Sequence, residues 1–222
     1  MEIPVRDLRR YWNLAPKTLV HVGAHEGEEQ PAYDSEGWGR LSTVWIEALP
    51  SKFPVLAARW ADRPNIHVVQ ALAWDIDDAI IPFHVMSNDQ SSSPLMPLEH
   101  LGLYPEIHIT ECLNLQTRRL ASIELIAEME CIDFICLDIQ GSELYALKGL
   151  GPLLERTQSV YSEVSDRELY KGGPSFTELN QWLSNRGFHL VDWEILEEGW
   201  GDALWMRNPP SPLSCYLRRA AR

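Results

Sequence analysis

Basic residues are scarce in this 222-residue chain: Lys and Arg total 19 against 32 Asp and Glu, for a formal net charge of −13. Nucleic-acid binding calls for a basic patch or stripe, and docking on anionic lipid for a polybasic segment, so the balance argues against both partners. Cysteine is also sparse. Cys112, Cys131, Cys136 and Cys215 form no C-x-x-C pair, and a chain of this length does not depend on a disulfide framework, so all four read as reduced thiols. The seven histidines include no H-E-x-x-H helix signature, and no zinc site is expected. No apolar run approaches the roughly 18 residues of a membrane helix. The segment Met1 to Tyr11 mixes Glu2, Arg6, Asp7, Arg9 and Arg10 without the apolar stretch of a signal peptide, so a cytoplasmic location is expected.

What remains is an ordinary globular composition in which strands and helices alternate. Thr18 to Val22, Ser42 to Ile46, Ile66 to Ala71, Ile80 to Met86, Ile132 to Leu137 and Ser159 to Val164 read as strands. Ile107 to Leu115 reads as an edge strand, and Leu190 to Ile195 with Ala203 to Met206 as a late pair joined through Gly199-Trp-Gly201. Helices are expected at Glu28 to Ser35, at Lys52 to Ala61 with Ser51 as its cap, at Ile123 to Met129, at Ser142 to Leu150, and at Phe176 to Arg186 up to Gly187. This order implies βαβ units: an α/β fold with a mostly parallel sheet, helices on both faces and an antiparallel edge. Residues 1–206 form one expected domain. The stretch 207–222, with Arg207, Arg218, Arg219, Arg222 and no acid, is expected to be a mobile basic tail.

In open α/β sheets ligands bind beyond the carboxyl ends of the strands. There the chain places Gly23-Ala-His-Glu-Gly-Glu-Glu29, then Glu47, then Ala71-Leu72, then Asp138-Ile-Gln-Gly141, with Glu163 on the following strand. Gly23 and Gly27 permit a tight turn and close backbone approach, although two glycines alone are as consistent with a plain turn. Their G-x-x-x-G spacing is not the G-x-G-x-x-G of pyrophosphate binding, which speaks against a nicotinamide-type oxidoreductase. Glu26, Glu28 and Glu29 make the loop acidic, unsuited to phosphate and suited to a cationic ligand, while Glu47 is placed to take two ribose hydroxyls. The combination fits an adenosyl ligand without phosphates, S-adenosylmethionine.

Several segments carry a family likeness: Val22-Gly-Ala-His-Glu-Gly27, Trp45-Ile-Glu-Ala-Leu-Pro50, Asn88-Asp-Gln-Ser-Ser-Ser93, Leu137-Asp-Ile-Gln-Gly-Ser-Glu-Leu144 with Leu147-Lys-Gly149, Glu163-Val164 with Glu168-Leu-Tyr170, and Gly199-Trp-Gly-Asp202. With these the chain, from Thr18 to Met206, resembles the FkbM family of S-adenosylmethionine-dependent methyltransferases. The resemblance implies the Rossmann-like class I methyltransferase fold. It puts Gly23, Ala24 and Gly27 around the methionine and ribose end of the cofactor, Glu47 on the ribose, and Ala71 and Leu72 near adenine; His25 and Glu29 of the same loop are further expected cofactor contacts. It puts Asp138 at a catalytic or cofactor-amine position. Two positions depart from the family: His21, often Asp there, and Ala121, where Leu-Asp is usual.

The expected activity is O-methyl transfer to a sugar, glycan precursor or polyketide-like small molecule; a methyltransferase-like domain that binds without turnover is the rival. Asp138, after a very apolar strand where burial raises a carboxyl pKa, is the first expected base, and Glu163 the second. Asp138 is equally readable as a helix cap or a cofactor-amine contact. A Mg²⁺ held by the two acids ranks below the simple base. Ser91, Ser92 and Ser93 are expected on the substrate side, with Trp200 and Tyr170 as stacking surfaces.

Overall fold

The computed structural model describes residues 1–209; the expected tail from Pro210 onward, with Cys215, lies outside the described residues. Seven strands form the main sheet: β1 (Thr18–Val22), β2 (Ser42–Glu47), β3 (Ile66–Gln70), β7 (Phe134–Leu137), β8 (Ser159–Ser165), β9 (His189–Ile195) and β10 (Trp200–Met206). Their order is β3-β2-β1-β7-β8-β10-β9. The first five are parallel, while β10 runs antiparallel between β8 and β9. The chain builds outward from β1 to β3, then returns to lay β7 on the other side of β1. This reversal opens the crevice at the carboxyl ends of β1 and β7, where ligands bind in such sheets.

Alternation of apolar side chains explains why both faces are covered. Val20, Val22, Ile135 and Leu137 face α5 (Glu124–Ala127), α6 (Glu143–Gly149) and α7 (Phe176–Ser184). Leu19, Trp45, Phe134 and Cys136 face α1 (Val5–Trp12), α2 (Gln30–Glu36) and α3 (Phe53–Arg59). Buried strands of this kind read as continuous apolar runs because each face has its own core.

Four features differ from the sequence expectation. Helix α1 was not anticipated: Val5, Leu8 and Trp12 seal one core, and the Trp12 indole donates to Asp192 at 2.8 Å. Its four polar residues between apolar ones hid a single buried stripe. Ser51 does not cap α3, whose preceding residue is Lys52 and which has no side-chain cap. The run expected as an edge strand is β6 (Ile109–Arg118), the central strand of a second sheet between β4 (Leu72–Ala73) and β5 (Ile80–Met86). Finally, Arg207 is anchored rather than mobile. Its guanidinium donates to the carbonyls of Thr157, Arg186 and Leu154 and covers the Phe188 ring.

The second sheet is tied to α6 at one crowded point. Trp74, just past β4, stacks on Tyr145 with centroids 4.0 Å apart, and a Cβ added at Gly149 would meet the Trp74 carbonyl oxygen at 2.1 Å. Replacing a helical glycine by alanine ordinarily stabilises by about 1 kcal/mol. Gly149→Ala is expected to do the reverse, lowering the thermal midpoint because backbone must move; an unchanged or higher midpoint would contradict this packing.

Candidate active site

The crevice has two connected lobes that share Gly23, His25, Gln90 and Asp138. The inner lobe, about 60 Å³, is walled by Val22, Ile46, Glu47, Ala71, Leu72 and Phe83. At its floor the chain leaves β1 through Gly23, with φ +88°; a Cβ there would sit 1.8 Å from the Asp138 carbonyl oxygen. The turns after β1 and β7 thus pass closer than any side chain permits, so glycine is required. Glu47 ends β2 and is 6% exposed. Its Oε2 accepts the His25 N–H and its Oε1 the Leu49 N–H, both at 2.7 Å. Burial pushes its carboxyl up, against those two N–H groups. Each oxygen keeps a further lone pair directed away from its backbone donor.

The outer lobe is larger, about 410 Å³, and is lined by Glu29, Asn88, His100, Tyr104, Glu163 and Trp200 among others. Asp138, Glu163 and Asp202 stand on adjacent strand ends, with Glu163 opposite Asp202 across the β8–β10 ladder. Gln140 joins two of them: its amide donates to Asp138 Oδ1 and Glu163 Oε2, both at 2.8 Å. The Tyr170 hydroxyl lies within donating distance of the Gln140 side-chain oxygen and the Ser91 carbonyl, and Ser93 Oγ donates to the Gln140 carbonyl. Gln140 itself has φ +54°. The loop is held in that conformation by Glu143, whose Oε1 accepts the N–H groups of Ile139 and Gly141 at 3.1 Å.

Burial decides the charge of these acids. Desolvation pushes Glu143 up to about 7 and Asp202 up to about 6. It holds Glu163 well above the usual carboxylate range, with Asp138 and Glu143 as repelling neighbours. Burial lowers the His21 imidazole to about 3; its ring stacks on Trp45 and its Nδ1 lies 3.0 Å from the Tyr33 hydroxyl. The acidic loop is less negative than its composition suggested. Glu26 pairs with Lys52 and Arg59, Glu28 with His25 at 2.6 Å, and Lys52 also holds Asp89 at 2.9 Å.

The structure brings Gly23, Ala24, His25, Glu29, Glu47, Ala71, Leu72, Asp138, Glu163, Ser91, Ser92 and Trp200 to the crevice wall. Gly27 and Ser93 do not line it. Gly27 packs on α3, where an added Cβ would meet Trp60 and Leu56, and its φ of +75° serves the turn alone. The serine hydroxyls serve the fold: Ser92 Oγ accepts the Met86 N–H, and Ser91 Oγ accepts from Asn88. Tyr170 is buried in the Gln140 network and presents no stacking face. Asp138 is exposed, so the burial from which a base role was argued falls on Glu163 and Glu143 instead. Nor does Asp138 cap α6, which follows Ser142. His21 and Ala121 pack against the two cores away from the lobes. Sequence reasoning missed Gln140, Asp202 and His100 as wall-forming groups. The first two lay inside segments already singled out, whereas His100 had no spacing signal at all. Among the described residues no group of three or more His, Cys, Asp or Glu is placed to hold a metal ion.

Comparison with known proteins follows this geometry. The methyltransferase FkbM domain matches residues 21–190. The 2-O-methyltransferase NoeI of Sinorhizobium fredii (strain NBRC 101917 / NGR234) is 37% identical over 84 residues, 38% of this chain and 35% of that protein. The match therefore spans about a third of that relative. A SAM-dependent methyltransferase from Aquifex aeolicus superposes with a TM-score of 0.50 at 12% identity, covering 93% of this chain and 91% of that one. Aeropyrum pernix fibrillarin, solved with S-adenosyl-L-methionine, gives 0.51 at 13% identity over 93% and 70% of the two chains. At such identities the likeness is one of fold.

The raised Glu143 carboxyl has a testable sign. Its folded-state pKa of about 7 lies above its ordinary value of 4.5, so the folded state binds the extra proton and stability falls as pH rises from about 4.5 to about 7. Glu143→Gln keeps an oxygen for both N–H groups and removes this titration. Between pH 5 and pH 8 the wild-type thermal midpoint should therefore drop relative to the variant; a constant difference would refute the assignment.

Proposed function

The chain belongs to the FkbM methyltransferase family, and on that premise we propose that it is an S-adenosylmethionine-dependent O-methyltransferase acting on a hydroxyl of a sugar, glycan precursor or similar small molecule. The observation that carries the reading is Glu47: a buried carboxylate at the end of β2, oriented by two backbone N–H groups beside the Gly23 turn.

The residues present suit the cofactor. Glu47 retains acceptor capacity for two ribose hydroxyls. The apolar wall of Ala71, Leu72 and Phe83 suits an adenine face, and His25 Nε2 is buried in the crevice without a partner. Glu29 and Asp138 place carboxyl groups where a cationic methionine end would lie, and among the described residues no Lys or Arg lines either lobe. Asp89, Gln90, Ser92 and Pro94 close one side of the narrow inner lobe, and Lys52 holds that segment through Asp89. When bound, the cofactor supplies an electrophilic methyl on a sulfonium sulfur. The protein's part is to hold the nucleophile in line with it and keep water away.

The outer lobe falls in the roughly 300–1,000 Å³ range of small-ligand sites. Its acids and amides suit a neutral, polyhydroxylated acceptor and disfavour a phosphorylated one. The 2-O-methyltransferase relative supports oxygen as the accepting atom. The binding-only rival loses its motive, because His21 and Ala121 pack outside the lobes.

Calorimetric titration tests the reading. S-adenosylhomocysteine should bind in the micromolar range and NAD should not. Glu47→Gln should weaken binding roughly tenfold or more, the effect of losing a hydrogen bond to a charged group. Binding of NAD without S-adenosylhomocysteine would sink the proposal.

A further inference from the structure

The outer lobe holds a buried polar side chain that neither the fold nor the cofactor reading explains. His100, on α4 (Glu99–Leu103), is 4% exposed and lines the lobe. Its Nδ1 is buried without a partner, a condition native structures seldom leave without a use. The ring is nonetheless firmly placed, with Tyr104 and Tyr170 packed on it at 5.1 and 5.4 Å. The Leu98 and His100 N–H groups donate to the Leu169 carbonyl, and the Trp200 indole donates to the Tyr104 hydroxyl at 2.9 Å. This aromatic wall, with His100 in it, faces the acids across the lobe.

The two carboxylates expected as bases are poorly suited to the work. Glu163 is half-buried and shares the Gln140 amide with Asp138, and desolvation with its acidic neighbours holds its carboxyl well above the usual carboxylate range. Asp138 sits at the junction of the lobes, beside the region assigned to the cofactor's cationic end. Resting on the methyltransferase reading above, we propose that His100 is the catalytic base that takes the proton of the acceptor hydroxyl. The acceptor oxygen forms its bond to the methyl carbon, and the carbon–sulfur bond breaks with its pair going to sulfur. The hydroxyl proton goes to the His100 imidazole, which becomes imidazolium in place and then returns the proton to solvent.

Desolvation holds the His100 imidazole below its ordinary 6.5, with Glu106 pulling the other way, so the ring is neutral and able to accept a proton at pH 7. The other groups facing it are Tyr104 from its own segment, Tyr170 from beyond β8, and Glu28, Glu29, Asp138, Glu163 and Asp202 across the lobe.

The test combines three readouts on the wild type and His100→Gln. Proton NMR of the His100 ring should give a pKa below 6.5; a ring still protonated at pH 7.5 overturns the proposal. S-adenosylhomocysteine should bind both proteins with affinities within twofold, and failure of the wild type to bind it would instead defeat the methyltransferase reading. Transfer of labelled methyl is then followed on a panel of methyl glycosides of neutral hexoses and N-acetylhexosamines. The wild type should lose kcat/KM below pH 6.5, and His100→Gln should be slower in kcat by a hundredfold or more and lack that acid limb. Unreduced kcat in the variant, or a wild type that binds S-adenosylhomocysteine yet methylates no glycoside, overturns the assignment.

Discussion

The site depends on one steric constraint: the chain must leave β1 and β7 side by side with their backbones almost touching. Gly23 has no Cβ, and the Asp138 carbonyl occupies the space one would fill. That approach sets the floor of the crevice and the direction in which Asp138 and Gln140 emerge. It also places the His25 N–H on Glu47 across the neighbouring strand end. A bulkier residue would separate the two turns and with them the two lobes.

From that floor outward, the network is one of neutral donors fitted among acids. Gln140 spans Asp138 and Glu163, Glu143 accepts from the loop backbone, and Asp202 accepts from the Tyr161 hydroxyl. Like charges this close in a buried setting do not all ionise, and the raised Glu143, Glu163 and Asp202 carboxyls reflect it. The exposed Asp138 and Glu47, which accepts two backbone N–H groups, are acids at the wall of the inner lobe. The second sheet and α4 roof the same crevice, so the acceptor side is built from residues distant in sequence from the cofactor loop.

Much of this was legible beforehand. β1 and β2 appear within a residue or two of their expected bounds because buried strands leave apolar runs ended by Gly or an acid. The inner-lobe residues Gly23, Glu47, Ala71 and Leu72 followed from the rule for strand ends. Gly27 packs on Trp60 and Leu56 outside the lobes, which the sequence could not show, because a turn glycine and a ligand-contacting glycine look the same there. The serine run misled for a related reason, since its hydroxyls answer backbone groups of the loop itself.

The sequence by itself determined the alternating α/β order, the family, and the residues at each strand end, because these follow from local periodicity and short motifs. Tertiary structure alone decided which acids are desolvated, how closely backbone approaches each glycine and which histidine nitrogens are left unpaired. Those properties depend on desolvation and on distances between segments far apart in the chain. Asp138 and Glu163 read alike in sequence; packing exposed one and desolvated the carboxyl of the other, and brought His100 across from a helix that had no signature of its own.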